Sequence, residues 1–241
     1  MTEIFIDDEF ETQLKEAFST SPLNSPLMLK GRTRELERAV FGLATAGKAT
    51  FVVGDRGVGK TSLAHTCATI LSNGERRTIF ELSCEKSQEL YRVVREMSRA
   101  LVNYDPLANP AQTSFSINLG GIATYDRKGD GSGAVPLPES INGALQILTS
   151  ALERWRAKSG FETPVVIVDE FDRLEKDKEL FGDFIKQVGD RAIPIRLIFC
   201  GVARELSELL GSHPSAPRHI TTVALDRLGW DARMQIVADA A

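Results

Sequence analysis

The sequence predicts an α/β domain built on a parallel five-stranded sheet with helices on both faces. Three observations carry that prediction. Short runs of apolar and β-branched residues alternate with stretches of helical periodicity along most of the chain. The first such run, Ala49–Val53, opens into Gly54-Asp55-Arg56-Gly57-Val58-Gly59-Lys60-Thr61 and then into a helical pattern. A later run, Pro164–Val168, is apolar throughout, as a parallel strand buried on both faces should be, and it ends on Asp169-Glu170.

Composition bounds the reading. At 241 residues the chain suffices for one large α/β domain, or one domain with a small appendage. Lys plus Arg number 29 against 33 for Asp plus Glu, a formal net charge of −4, which argues against a strongly basic, sequence-blind nucleic-acid binder and leaves room for a local basic patch. The cysteines Cys67, Cys84 and Cys200 are odd in number and lack C-x-x-C spacing, so buried free thiols are expected rather than a disulfide framework or a zinc site. No opening run resembles a signal peptide and no apolar stretch reaches membrane-spanning length, so no membrane role and a cytoplasmic location are expected.

In order along the chain, residues 1–30 read as a short amphipathic helix (Phe10, Leu14, Ala17, Phe18) and a Ser/Pro linker over Ser19–Pro26. A helix follows with Leu36, Val40 and Leu43 on one face and Gly47 as its stop. After the glycine stretch, Leu63, Ala64, Cys67, Ala68 and Leu71 recur at helical spacing and Asn73-Gly74 closes the helix. Arg77–Ser83 reads as the second strand, and Leu90, Val93, Val94, Met97 and Leu101 as the next amphipathic helix. Residues 105–138 break the pattern with prolines and a Gly/Ser/Asp cluster; alternation at Phe115, Ile117, Leu119, Ile122 and Thr124 suggests an inserted β-hairpin, either a decorated surface loop or a partner-binding one. Helical spacing returns with Ile141, Leu145, Leu148, Leu152 and Trp155. Then come the strand at Pro164–Val168, a helix near Lys178–Val188, a strand at Pro194–Cys200, a helix around Arg204–Leu210 and a strand at Ile220–Leu225. Residues 31–228 thus form the core, and 229–241 begin one further helix.

The glycine stretch has the spacing G-x-x-x-x-G-K-T of a phosphate-binding P-loop. Glycines let the backbone curl until several N–H groups face one hollow, and the following helix aims its positive end at the same anion. Gly54, Arg56, Gly57, Val58, Gly59, Lys60, Thr61 and Ser62 are therefore candidate nucleotide-binding residues. Lys60 would reach the β- and γ-phosphates of ATP or ADP, and the Thr61 hydroxyl would take a place on Mg²⁺. Asp169, at the sheet's carboxyl edge, is the second candidate metal ligand, and Glu170 is placed to polarise the water attacking the γ-phosphate.

These two motifs, with D-E-F-D-R-L at Asp169–Leu174 and the box Gly31-Arg32-Thr33-Arg34-Glu35-Leu36, resemble the AAA+ ATPases. The resemblance is to their initiator-type and STAND signalling branch, as in a bacterial ATP-binding protein, and it covers roughly residues 20 to 240. It implies a three-layer P-loop NTPase core and an adenine-side role for Gly31 and Arg32. It also implies an arginine finger serving a neighbouring subunit in a homo-oligomer, for which Arg218 stands at the matching place; an ordinary surface arginine is the alternative. The family's polar γ-phosphate sensor has no Asn, Ser or Thr at the matching strand tip, Phe199-Cys200-Gly201, which puts fast hydrolysis in doubt. Only the first helix of the family's C-terminal lid is present, implying either a piece of a longer protein or a core that works without a lid.

His213 and His219 read as loop residues, and Arg92, Arg95 and Arg99 as a solvated helix face, with phosphate contact as the alternative. The leading function is Mg-dependent ATP hydrolysis driving a nucleotide-controlled assembly or conformational switch. The alternatives are a nucleotide-gated scaffold of signalling or defence type with little turnover, a DNA-loading initiator-type ATPase, and a small-molecule kinase, the last disfavoured by the acid beside Asp169. A protein or DNA partner is left open.

Overall fold

The structure is a computed structural model that describes residues 29–44, 46–75, 78–86, 89–105, 135–174, 177–203 and 216–240. The helix and linker expected at the N-terminus, the hairpin expected within 105–138, the helix around Arg204–Leu210 and His213 lie outside the described residues.

Helix α1 (Thr33–Gly42) leads to strand β1 (Ala49–Gly54), helix α2 (Lys60–Leu71) and strand β2 (Ile79–Ser83). Helices α3 (Leu90–Val102) and α4 (Ile141–Ser159) precede strand β3 (Val165–Asp169). A single 3₁₀ turn at Phe171–Arg173 then leads to helix α5 (Lys178–Asp190) and strand β4 (Arg196–Gly201). A second 3₁₀ turn at Ala216–His219 leads to strand β5 (Ile220–Leu225) and helix α6 (Trp230–Ala240).

The five strands form one parallel sheet in the order β2-β3-β4-β1-β5. Alternation along each strand distributes side chains between two cores. Phe51 and Val53 of β1, Val166 and Val168 of β3, and Leu197 and Phe199 of β4 face a core shared with α3, α4 and α5. Val52, Val165, Ile167, Ile198 and Cys200 face the opposite core, closed by α1 and α2 through Ala39, Leu63, Ala64, Cys67 and Ala68. With both faces covered, the apolar run Val165–Val168 is fully buried, each such side chain stabilising the fold by roughly 1.5–3 kcal/mol. This is the α/β P-loop NTPase fold, with its parallel five-stranded sheet between helices.

Element edges differ from the sequence reading by a residue or two in the strands and by more at the end of α1. Residue 194 is a proline without an N–H, and β4 enters the ladder only at Arg196. Gly47 does not end α1, which stops at Gly42; its own N–H instead donates to the Ile195 carbonyl at 3.0 Å. Of the α3 arginines, Arg95 and Arg99 both turn onto Glu96, at 3.2 and 3.1 Å, and that carboxylate is almost wholly buried. Two of the three cations in the stripe are thereby committed within the helix. His219 is paired with Asp190 at 2.9 Å.

All three cysteines are free and buried. Burial pushes the Cys67 thiol from an ordinary 9.0 up to about 12. Burial, reinforced by the carboxylate of Asp169, does the same to Cys84. Cys200 is likewise raised, chiefly by burial. The thiolate is the reactive form, so all three should resist a thiol-specific reagent at pH 8 in the native protein and react fully once it is unfolded. Because the unfolded thiols ionise first, the contribution of Cys67 and Cys84 to stability is complete below about pH 9 and is lost as pH rises toward about 12.

Candidate functional site

The loop leaving β1 is shaped by where glycine is required. An ideal Cβ on Gly54 would lie 2.3 Å from the Leu225 carbonyl oxygen, so only glycine lets the end of β1 pass this close to the end of β5. Gly57 and Gly59 have φ of 80° and 94°, and a Cβ on either would meet nothing within 4 Å. The loop therefore wraps an open cradle at the N-terminus of α2, where the helix dipole favours an anion. Arg56 is exposed at the loop's outer turn, with Val58 and Ser62 half-buried. Lys60 folds back over the cradle, its Nζ donating to the carbonyls of Gly54 at 3.0 Å and Asp55 at 2.8 Å.

Strand β3 delivers the acids. The Thr61 hydroxyl donates to Asp169 Oδ2 at 2.7 Å, joining residues 108 apart in sequence. The other oxygen of Asp169 accepts the Glu170 N–H at 2.7 Å. Glu170 adopts φ 55°, a left-handed conformation uncommon for a residue with a side chain and of the kind that recurs at functional sites. Phe171 holds this turn by burying its ring against Phe51, Phe181 and Phe199, with centroids 4.9–5.5 Å away. The turn leaves the Glu170 carboxylate half-buried, accepting from the Ser83 hydroxyl at 2.8 Å and paired with Arg173. A carboxylate offers about four acceptor positions, so two partners still leave Glu170 able to accept from a water.

Sequence reasoning missed two residues here. Ser83 becomes visible as a partner of Glu170 only once β2 is known to lie beside β3. Asp172 accepts the Val202 N–H at 2.8 Å, tying the turn after β3 to the exit of β4. The repeat of acid at Asp169, Glu170 and Asp172 was the available signal. Cys200, at the tip of β4 where no Asn, Ser or Thr stands, faces the opposite core, and its thiol lies 3.8 Å from the Lys60 carbonyl.

Of the remaining candidates, Arg32 stands beside the loop and Gly31 lies against Ala232 and Leu228. Arg32 is 5% exposed and bonds inward, to the carbonyls of Val58 and Asp226. Arg218 is exposed at the start of β5, the far end of that strand from Leu225, roughly 17 Å away at the usual rise per residue. It is not brought to this chain's own cradle.

A nucleoside triphosphate with Mg²⁺ fits these residues. The cradle has room for phosphate oxygens, and a hydroxyl with an adjoining carboxylate supplies the hard oxygen donors that Mg²⁺ takes.

Strand, glycine cradle, helix and an acid-tipped strand one place beyond β4 in the same sheet define a P-loop nucleotide-binding domain. The chain belongs to the AAA domain family, whose model matches residues 44–210. Among solved structures it is similar to the Aeropyrum pernix ORC1 protein, solved in complex with DNA, at 14% identity and a TM-score of 0.56, covering 94% of this chain and 52% of that one. It is also similar to the Walker-type ATPase paby2304 of Pyrococcus abyssi, at 16% identity and a TM-score of 0.51, covering 92% of this chain and 61% of that one. The chain thus spans between half and two thirds of the length of these two structures, and at such identities the likeness is one of fold. Comparison with curated proteins gives no match. Among the described residues no helix is long and apolar enough to cross a membrane.

Proposed function

We propose that this chain is an ATPase core that binds Mg-ATP in the Gly54–Ser62 cradle and hydrolyses it, using nucleotide state to switch conformation or assembly. The observation that carries the reading is the 2.7 Å bond between Thr61 and Asp169, with Glu170 beside it. It unites a phosphate cradle, a metal-type donor pair and a second carboxylate at one sheet edge. Bound Mg²⁺ would neutralise charge on the phosphates, held by Thr61 and Asp169. Lys60 would move its ammonium from the loop carbonyls to the phosphate oxygens. Glu170, oriented by Ser83 and Arg173, would align a water and accept its proton. Through Asp172 and Val202, the state of the β3 turn would reach the exit of β4.

A second reading, a nucleotide-gated scaffold with little turnover, is favoured by one observation. The tip of β4 is Cys200-Gly201-Val202, which presents no polar side chain to a γ-phosphate. Arg218 supports a contribution in trans, since it is exposed and remote from its own cradle and would serve only a neighbouring copy. A DNA partner rests on fold likeness to a protein solved with DNA, against a net charge of −4.

Phosphate release per protein at saturating Mg-ATP, measured across protein concentration, tests these readings. Hydrolysis predicts free phosphate in many-fold excess over protein. A specific rate that rises with concentration and is lost in Arg218→Ala supports catalysis between copies. Binding without release favours the scaffold, and label on an added acceptor instead of free phosphate would overturn hydrolysis in favour of a kinase.

A further inference from the structure

We infer that Arg32 is a positioning residue for the phosphate cradle, acting on the loop backbone from inside the protein without touching the ligand. The inference rests on the reading of Gly54–Ser62 as a nucleotide cradle.

Arg32 is the residue that caps α1, and its side chain is almost wholly buried. A buried guanidinium is costly unless its donors are met and its charge is balanced. Both conditions hold. Nη1 donates to Glu35 Oε1 at 3.1 Å, one turn along the helix. Nη2 donates to the Val58 carbonyl at 3.2 Å and to the Asp226 carbonyl. Val58 lies at the heart of the glycine loop, between Gly57 and Gly59, and Asp226 is the first residue after β5. One side chain therefore spans three segments: the start of α1, the cradle and the exit of β5.

Two further contacts show that this junction is tight. Gly31 has φ 66°, and a Cβ there would fall 2.5 Å from the Ala232 side chain and 3.3 Å from Leu228, so the backbone leading into Arg32 is pressed onto α6. Gly54, at the root of the loop, is pressed onto the Leu225 carbonyl. The cradle is thus seated against the β5 exit at its root by close approach, and at its middle by the Arg32 fork. The carbonyl of Val58 points to Arg32, into the protein, and the peptide plane that carries it also fixes the direction of the Gly59 N–H. Removing the fork frees that plane to rotate. The amides that should converge on phosphate then lose their shared aim, an entropic and orientational loss felt by any ligand that uses them.

A lysine cannot reproduce the fork, because it offers a point charge where arginine offers a rigid planar set of donors. The role therefore separates from contact with the adenine base by ligand choice. Arg32→Lys should weaken ATP and inorganic tripolyphosphate by the same factor, about tenfold or more, as expected for loss of a charge-assisted hydrogen bond at the loop. Titration calorimetry on the full chain reads both affinities, and circular dichroism checks the fold. Arg32→Gln removes the buried charge but keeps one amide donor; it stands in where the lysine variant does not fold, with the same equal loss expected. Weakened ATP with unchanged tripolyphosphate would overturn the proposal in favour of base contact. A lowered melting temperature with both affinities unchanged would overturn it in favour of a purely structural role. If the wild-type chain binds neither ligand, the cradle reading itself fails, which is a distinguishable result.

Discussion

Lys60→Ala is expected to abolish ATP binding, lowering affinity by a factor of about 100 or more, equivalent to about 3 kcal/mol. The ammonium stands over the cradle on two loop carbonyls, at 3.0 and 2.8 Å. Those bonds need only exchange partners when phosphate arrives, so the charge is delivered with little reorganisation. Alanine removes the charge and also releases the carbonyls of Gly54 and Asp55 to solvent. Because the donor lies in a part-buried or exposed setting, the fold should change little, and the melting temperature should fall by a few degrees at most. Titration calorimetry against ATP measures the loss. Equal affinity in wild type and variant would sink the assignment of the cradle as a nucleotide site.

Glu170→Gln should give the complementary phenotype, with ATP affinity held within a few-fold and phosphate release reduced by about 10²–10⁴-fold, the usual contribution of a positioned general base. Its geometry predicts that the variant folds. The glutamine carbonyl can still accept from Ser83, the Phe171 ring still anchors the turn, and the lost pairing with Arg173 is more than a third exposed, where such pairs contribute about 0–1 kcal/mol. Single-turnover phosphate release with pre-bound ATP separates the chemical step from binding. Release at the wild-type rate would remove Glu170 from the catalytic step.

The contrast between these residues and the ones missed says what a linear chain reveals. The glycine loop, Lys60, Thr61 and the Asp169-Glu170 pair were legible because each acts through its neighbours in sequence: a tight turn, a helix start, a strand end. The alternation of strands and helices was legible too, since parallel strands buried on both faces are apolar without interruption. Ser83 and Asp172 were not, because their partners depend on which strands lie side by side, and the order β2-β3-β4-β1-β5 is not encoded in alternation. That the Phe199-Cys200-Gly201 tip lacks Asn, Ser and Thr was legible, but not that the pleat turns the Cys200 thiol into a core. Arg32 stood out in the sequence only as part of a box; that its charge points inward to two backbone carbonyls follows from three segments meeting in space.

The placement of β4 between β1 and β3 has a consequence for how the protein comes to exist. Thr61 and Asp169 cannot meet at 2.7 Å until Arg196–Gly201 has slotted between their strands. A ribosome must therefore carry synthesis well past the second acid, through residue 201, before a nascent chain owns a closed site. At ~5–20 residues per second the cradle is complete in sequence for roughly 7–28 seconds before it is complete in space. During that interval β1 waits with an unpaired edge on the side reserved for β4. ATP, which under the reading proposed above binds the assembled sheet and not its parts, would draw the newly made chain toward its folded form by mass action. Under that reading the ligand would be a selector of finished molecules before it is ever a substrate.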